Sequence, residues 1–162
     1  MKIDLHCHTK AIKKGDGAGR NVTPELFRQK IADADIKIAA ITNHNAFDLE
    51  QYRILSETVK GFCLVWPGVE IDILEPGSTR WHLIVVANPK EAEDFSDRVA
   101  TLFKGDNLEE CTHSIDEVYG AFKDNDVIYI SHFHKKRPAV PVEDGEKLDR
   151  LVGEPHRVFK ET

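Results

Sequence analysis

His6 and His8 stand two residues apart at the end of the strand-like run Lys2-Ile3-Asp4-Leu5. In an extended chain, side chains at i and i+2 share a face, so both imidazoles point the same way with Asp4 below them, while Leu5 and Cys7 turn into packing. Such a pair can chelate one metal ion, although a lone His-x-His has many chance matches. The pattern repeats, which makes chance a poor explanation. His44 ends the run Ile38-Ala39-Ala40-Ile41-Thr42 and His132 ends Val127-Ile128-Tyr129-Ile130-Ser131, so several strands deliver a histidine to one rim. Glu70 follows Pro67-Gly68-Val69 in an otherwise apolar stretch, where a buried carboxylate is costly unless a cation accompanies it. His82 opens the next apolar run. A carboxylate that bridges two ions, with imidazoles filling the remaining positions, suits zinc, iron or manganese rather than calcium.

These residues need a frame that brings distant strand ends together. Short apolar runs at residues 3–5, 38–41, 64–69, 82–87 and 127–131 alternate with helical patterns, the order of an α/β fold with a largely parallel sheet. In parallel α/β barrels the functional face lies at the C-terminal strand ends, where the histidines fall. Thr23-Pro24 and Asn88-Pro89 each supply a helix cap followed by proline at the first helical position, and Ser114-Ile115-Asp116-Glu117 is a capping box. Phe95, Val99 and Leu102 have helical spacing, and Gly61 and Gly105 are plausible helix stops. Only six residues, 75–80, separate the run ending at Leu74 from the one starting at Trp81. That is too short for a crossover helix, so this pair is expected to be antiparallel and the barrel irregular.

The bulk composition sets limits. A chain of 162 residues, 41% hydrophobic and 31% charged, is expected to form one domain, residues 1–162, with a substantial core. No apolar run reaches bilayer-spanning length and the N-terminus opens on a strand without a signal-peptide stretch, so no membrane partner and a cytoplasmic location are expected. Cys7, Cys63 and Cys111 share no short spacing, suggesting reduced core residues rather than a disulfide framework or a cysteine-based zinc site. The net charge of −6 argues against coating nucleic acid with the whole surface. A local basic rim is still available, because Lys10, Lys13, Lys14 and Arg20 follow the first histidine pair and Lys135, Lys136 and Arg137 follow His132. His134 shares a strand-like face with His132 and is a further ligand or a phosphate contact, whereas His113 and His156 have no catalytic partner in sequence. No Gly-rich phosphate loop, G-x-S-x-G elbow or Ser-His-Asp order appears.

The strings Asp4-Leu5-His6-Cys7-His8-Thr9, Ile41-Thr42-Asn43-His44-Asn45, Pro67-Gly68-Val69-Glu70, His82-Leu83-Ile84-Val85-Val86-Ala87 and Ile130-Ser131-His132 resemble, in order, the successive motifs of the PHP (polymerase and histidinol phosphatase) superfamily. The resemblance covers nearly the whole chain. It implies a distorted (β/α)7 barrel holding two to three divalent ions (Zn, Mn or Fe). By that pattern His6, His8 and Glu70 hold the first metal, Glu70 bridges to a second held by His82 and His132, and a third uses His44 with Asp16. Asn43 stands where the family often has Asp, a residue that orients neighbours more than it binds metal. The family's final Asp-x-His has no match after Lys147. The barrel is therefore expected to be C-terminally incomplete here, the chain being the N-terminal part of a longer protein, with an ATPase domain in the same polypeptide as the expected companion.

The implied activity is hydrolysis of phosphate esters by a metal-activated water, with no protein nucleophile. The substrate expected is nucleic acid or a nucleotide, gripped by the basic segments at residues 10–20 and by His134, Lys135, Lys136 and Arg137 through charge-assisted hydrogen bonds. The alternatives are a small-metabolite phosphatase of the histidinol-phosphate type and a non-catalytic regulatory module of a larger ATPase. A zinc-dependent amide hydrolase on a related barrel would want a lysine or a metal-ligating Asp at the end of a late strand, which the sequence lacks.

Overall fold

The computed structural model describes residues 1–17, 20–132, 139–153 and 157–161, with His132, Lys160 and Glu161 described by their backbone alone. Among the described residues there are six strands: β1 (Lys2–Cys7), β2 (Ile36–Ile41), β3 (Leu64–Ile73), β4 (Trp81–Ala87), β5 (Val127–His132) and β6 (Val158–Glu161). Five helices connect them: α1 (Pro24–Asp33), α2 (Leu49–Thr58), α3 (Ala92–Leu102), α4 (Ile115–Phe122) and α5 (Val142–Val152). The expected caps act as such. The Thr23 side chain accepts from the Leu26 N–H, and Ser114 and Glu117 form a reciprocal capping box on α4. Asn88-Pro89 starts a short 3-10 turn, Pro89–Glu91, that runs into α3. Gly153 ends α5 in the left-handed region, where a side chain would be strained. The sequence reading places neither α5 nor β6. Gly145 interrupts the apolar spacing of α5, and β6 has only four residues, too few for a periodicity.

The strands lie in sequence order in one sheet. β1 pairs with β2, β2 with β3, and β5 with β6, all parallel, while β4 is antiparallel to both β3 and β5. The short 75–80 connection does force an antiparallel neighbour. The consequence is positional: because β4 runs backwards, its N-terminal residue pair, Trp81-His82, arrives at the rim where the parallel strands end. The register continues this rule, since Asp72 lies opposite His82 and Leu83 opposite Ser131, which brings His132 alongside His82.

Alternation sorts the strand residues between two faces. Val69, Ile71 and Ile73 of β3 and Trp81, Leu83 and Val85 of β4 join the core under α3, α4 and α5, and Ala39, Ile41 and Val65 pack under α1 and α2. On the opposite, concave face Ala40, Ile84, Val86 and Ile130 form an apolar floor with Leu5 and Ile128 beside it. Gly68, Glu70 and Asp72 share that concave face. Strict alternation fails in β1. Its register shifts between Asp4 and Cys7, so Leu5 packs on the concave floor and Cys7 on the helix side, and Asp4 turns back to accept from the His6 N–H at 3.0 Å. Asp4 therefore does not sit below the histidine pair as expected. β1 and β6 are the two edges of the curled sheet, with an apolar groove of about 360 Å³ between them lined by Ile3, Leu5, Ile84, Ile128, Ile130 and Phe159.

Gly68 sets how closely β3 approaches its neighbours. A Cβ there would meet Thr42 Cγ2 at 2.8 Å, the Val85 carbonyl at 3.1 Å and the Ile41 carbonyl at 3.2 Å, two of the three being backbone. Gly68→Ala must push β3 outward two residues before Glu70. We expect a loss of about 1–3 kcal/mol in urea unfolding, the usual range for overpacking a well-filled interior; an unchanged midpoint would show that the strands can separate without cost.

Candidate metal centre

The rim of the concave face gathers histidines around one carboxylate. Glu70 is 1% exposed. Its Oε2 lies 3.2 Å from His6 Nε2, 3.0 Å from His8 Nε2 and 3.2 Å from His44 Nδ1, and its Oε1 lies 2.8 Å from His82 Nδ1. His6 Nε2 and His8 Nε2 are themselves 3.0 Å apart. The rings of His8 and His44 stand 4.6 Å apart and those of His44 and His82 5.3 Å. Residues from the ends of three strands thus meet the middle of a fourth at one point.

The peptide chain around Glu70 is stitched in place. The Glu70 N–H donates to the Asn43 carbonyl and the Asn45 N–H to the Glu70 carbonyl, so the segment after β2 rides along β3 and sets His44 against Glu70. Asn45 adopts φ 49°, sparsely populated without glycine, and its side chain explains why. Oδ1 accepts from the Asp72 N–H, and Nδ2 donates to Asp72 Oδ2 and to the Leu108 carbonyl. Asn43 uses its Oδ1 to accept from the N–H groups of Thr9 and Lys10, fixing the turn that follows His8. It orients neighbours, as its place in the motif suggests.

Asp16 approaches from the loop after β1. One oxygen accepts from the backbone N–H groups of Ile12 and Lys13, while the other faces Arg20 and lies 3.6 Å from His44 Nε2. Burial works to raise the Asp16 pKa, but the two backbone donors, with His44 and Arg20, hold it below the ordinary value. The sequence reading pairs His44 with Asp16 at a third ion and His82 with His132 at a second. In the structure His44, Glu70 and His82 form one group and His6, His8 and Glu70 another, the nitrogen and oxygen atoms within each lying inside 4.8 Å, and His44 keeps its approach to Asp16. The His132 side chain and all of His134, Lys135, Lys136 and Arg137 lie outside the described residues. Lys10 pairs with Asp48, and Arg20 pairs with Asp16.

The sequence reading misses Asp72. It is fully buried, and it takes His82 Nε2 on Oδ1 at 3.0 Å and both Lys13 Nζ and Arg80 on Oδ2. Like Glu70 two residues earlier, it is a carboxylate in an apolar strand and carries the same burial cost. Burial opposes the charge on Asp72, but His82, Lys13 and Arg80 outweigh it and hold the carboxyl far below the ordinary range. For His82, burial opposes protonation; the bonds to Asp72 and Glu70 prevail and raise it to about 9. His44 goes the other way, to about 4, because burial, Lys13 and His8 disfavour a second charge more than Glu70 and Asp16 favour it.

Divalent cations fit this donor set. An ion with bonds of about 2.0 to 2.2 Å in a tetrahedral site places neighbouring ligand atoms about 3.3 to 3.6 Å apart, so the atoms around Glu70 need to open by only a few tenths of an ångström. The buried Nδ1 atoms of His8 and His44 make no well-formed hydrogen bond among the described residues.

No protein-family model matches the chain, and no curated protein matches it. Solved structures do share its fold. A protein from Bifidobacterium adolescentis, provisionally named a metal-dependent phosphoesterase, superposes with a TM-score of 0.62 at 13% identity, over 98% of this chain and 76% of that one. An amidohydrolase from Chromobacterium violaceum, solved with bound sulfate and no metal, gives 0.60 at 12% identity over the same shares. At these identities the likeness establishes the fold.

Two outcomes follow from the electrostatics. Asp72→Asn removes the counter-charge of Lys13, Arg80 and His82 at a buried point, and should cost roughly 3 kcal/mol in urea unfolding of the chelator-treated protein; a change within error would mean the cations rearrange freely. In the metal-free protein the raised His82 pKa contributes stability that is complete below about 6.5 and lost as pH rises through about 9. A cation that takes His82 must displace that proton. Calorimetric titration with manganese near neutral pH, in buffers of different ionisation enthalpy, should show proton release that fades above about pH 9 and is absent in His82→Ala.

Proposed function

We propose that this chain is a metal-dependent hydrolase that cleaves phosphate esters, with nucleic acid or nucleotides as the substrate class. The observation that carries the reading is Glu70, a buried carboxylate whose two oxygens face three imidazoles on one side and one on the other. His6, His8 and Glu70 would hold one ion, and Glu70, His44 and His82 a neighbouring one, with Asp16 and His132 as the remaining donors. Divalent cations held there would lower the pKa of a water and neutralise charge on the phosphoryl oxygens.

The chain's own residues prepare that chemistry. Glu70 offers one oxygen to each group, which fixes the separation of the two positions. Asp72 orients His82 through Nε2 so that Nδ1 faces Glu70, the arrangement in which a carboxylate sets the tautomer and direction of a ligating ring. Lys13 and Arg80 reach the rim on the far side of Asp72, so positive charge lies beside the ligand cluster, where an anionic ester would approach. That charge favours a phosphate ester over an uncharged amide. The neighbouring folds support hydrolysis without choosing the bond, one being named for phosphoesters and the other as an amidohydrolase. The PHP-type barrel is the architecture to which we assign the curled sheet. A net charge of −6 suits a substrate reached at its phosphate rather than wrapped along its length.

The test compares a phosphodiester, a phosphomonoester and a simple amide as substrates for the chain supplied with manganese or zinc. Glu70→Gln keeps the size but loses the charge that two cations share, and we expect hydrolysis of the phosphoester to fall by at least about 100-fold. Amide cleavage without phosphoester cleavage, or full activity in Glu70→Gln, would overturn the reading.

A further inference from the structure

On the helix-covered side of β3, away from Glu70, a different donor set converges. Asp106, Cys111 and His113 place a carboxylate oxygen, a thiol sulfur and an imidazole nitrogen within 4.8 Å of one another. We propose that these three residues form a second cation site, separate from the Glu70 centre, that takes a zinc-like divalent ion and clips the 103–114 segment to β3.

His113 is the anchor. Its N–H donates to the Asp72 carbonyl at 2.9 Å and its carbonyl accepts from the Leu74 N–H at 3.0 Å, so the residue extends the ladder beside Ile73. The ring packs edge-on against Phe103, with centroids 4.8 Å apart, and is 9% exposed. Its orientation is therefore fixed. Nε2 is buried and makes no hydrogen bond of acceptable geometry among the described residues, although Asp106 Oδ2 lies 3.2 Å away. A buried ring nitrogen left in this state is costly, and a shared cation would satisfy it together with the carboxylate. The opposite nitrogen, Nδ1, faces Glu117 at 3.9 Å, on the side where a carboxylate supports a ligating imidazole.

The other two donors come from a turn already folded. The Asp106 N–H donates to the Phe103 carbonyl, the N–H groups of Glu110 and Cys111 both donate to the Asn107 carbonyl, and the Asn107 side chain accepts from the Glu109 N–H. Bonds of about 2.0 to 2.3 Å in a tetrahedral site put ligand atoms about 3.3 to 3.8 Å apart, so the three atoms need to close by about 1.5 Å at most. A thiolate, an imidazole and a carboxylate together select zinc or a similar transition ion over magnesium or calcium. The Glu70 centre offers no thiolate. Burial, with the carboxylates of Asp106 and Asp72, raises the Cys111 thiol above its ordinary pKa, and a bound cation would offset both carboxylates and displace the proton. The clip would also steady the Glu70 centre from behind. Asp72 holds His113 by its carbonyl and His82 by its carboxylate, and Leu108, inside the clipped turn, accepts from Asn45.

Cobalt(II) separates the two centres, because only a cysteine ligand gives a thiolate-to-cobalt charge-transfer band in the near ultraviolet. The chelator-treated chain titrated with cobalt should develop that band, and so should His82→Ala, Cys7→Ser and Cys63→Ser. Cys111→Ser should lose it, and His113→Asn should weaken cobalt binding at least about tenfold. In the unaltered chain, zinc should protect Cys111 from a thiol reagent, as mapped by mass spectrometry, including when His82 is replaced by Ala. No band from the folded chain, a band that survives Cys111→Ser, or Cys111 labelling unchanged by zinc would each overturn the proposal.

Discussion

Burying a carboxylate removes it from water at a cost of several kcal/mol, and the strand must supply partners where the carboxylate lies. Glu70 sits mid-strand with apolar neighbours on both sides of it in sequence, so its partners have to arrive from elsewhere in the chain. They come from the ends of β1 and β2 and from the start of β4. Each arrival constrains a different connection: the turn after His8 held by Asn43, the segment at residues 43–45 bound along β3, and the reversed β4 that lands His82 at the rim. Misplacing any of them would leave Glu70 with an incomplete partner set. The sheet's geometry is thus subordinate to one buried charge.

The reversal of β4 shows how topology and chemistry are linked. A right-handed crossover after β3 would have carried the next parallel strand's C-terminal end to this rim and its N-terminal end to the far side. With only six connecting residues the chain instead turns back, and a histidine at the second position of β4 does what histidines at strand ends do in β1 and β2. The same tight turn brings Arg80 and Trp81 close to Asp72 and α5, where Trp81 Nε1 donates to Asp144 at 2.8 Å. Glu75, in the same connection, accepts from the first N–H of α4 and pairs with Lys147. One short connection serves the rim and the helix layer together.

Much of this was legible from residue types. Apolar runs with histidines at their ends located four of the ring donors, and the length of the 75–80 connection gave the antiparallel pair. Which of His6, His8, His44 and His82 face the same Glu70 oxygen was not legible, because that depends on strand register and on the shift in β1, and neither leaves a trace in spacing. Asp72 could have been found by the burial argument already applied to Glu70. Lys13 and Arg80 could not, since a lysine in a loop and an arginine in a turn look alike whether they meet solvent or a buried acid. Cys111 and His113 left no signal for a related reason: the cysteines have no short spacing among themselves, and the groups near Cys111 are a histidine two residues on and an aspartate five residues back.

The two carboxylates of β3 on its concave face carry different burdens. Asp72 meets a lysine and an arginine on Oδ2 and faces His82 Nε2 with Oδ1, which makes no hydrogen bond of good geometry among the described residues, so its partners come mainly from cationic side chains of the polypeptide. Glu70 faces four imidazoles among the described residues, with nitrogens and oxygens about 3 Å apart. The proton inventory differs accordingly, with His82 raised to about 9 beside both acids and His44 lowered to about 4 beside Lys13 and His8. A site that holds one imidazolium and excludes the next is limited by positive charge density, and divalent cations relieve that limit by replacing a single dispersed proton with two positive charges per ion. Asp72 then keeps its role unchanged, because it meets His82 through Nε2 and leaves Nδ1 to the centre. The strand thereby separates support from chemistry by two residues, one carboxylate closed by the fold and one left for what the fold binds.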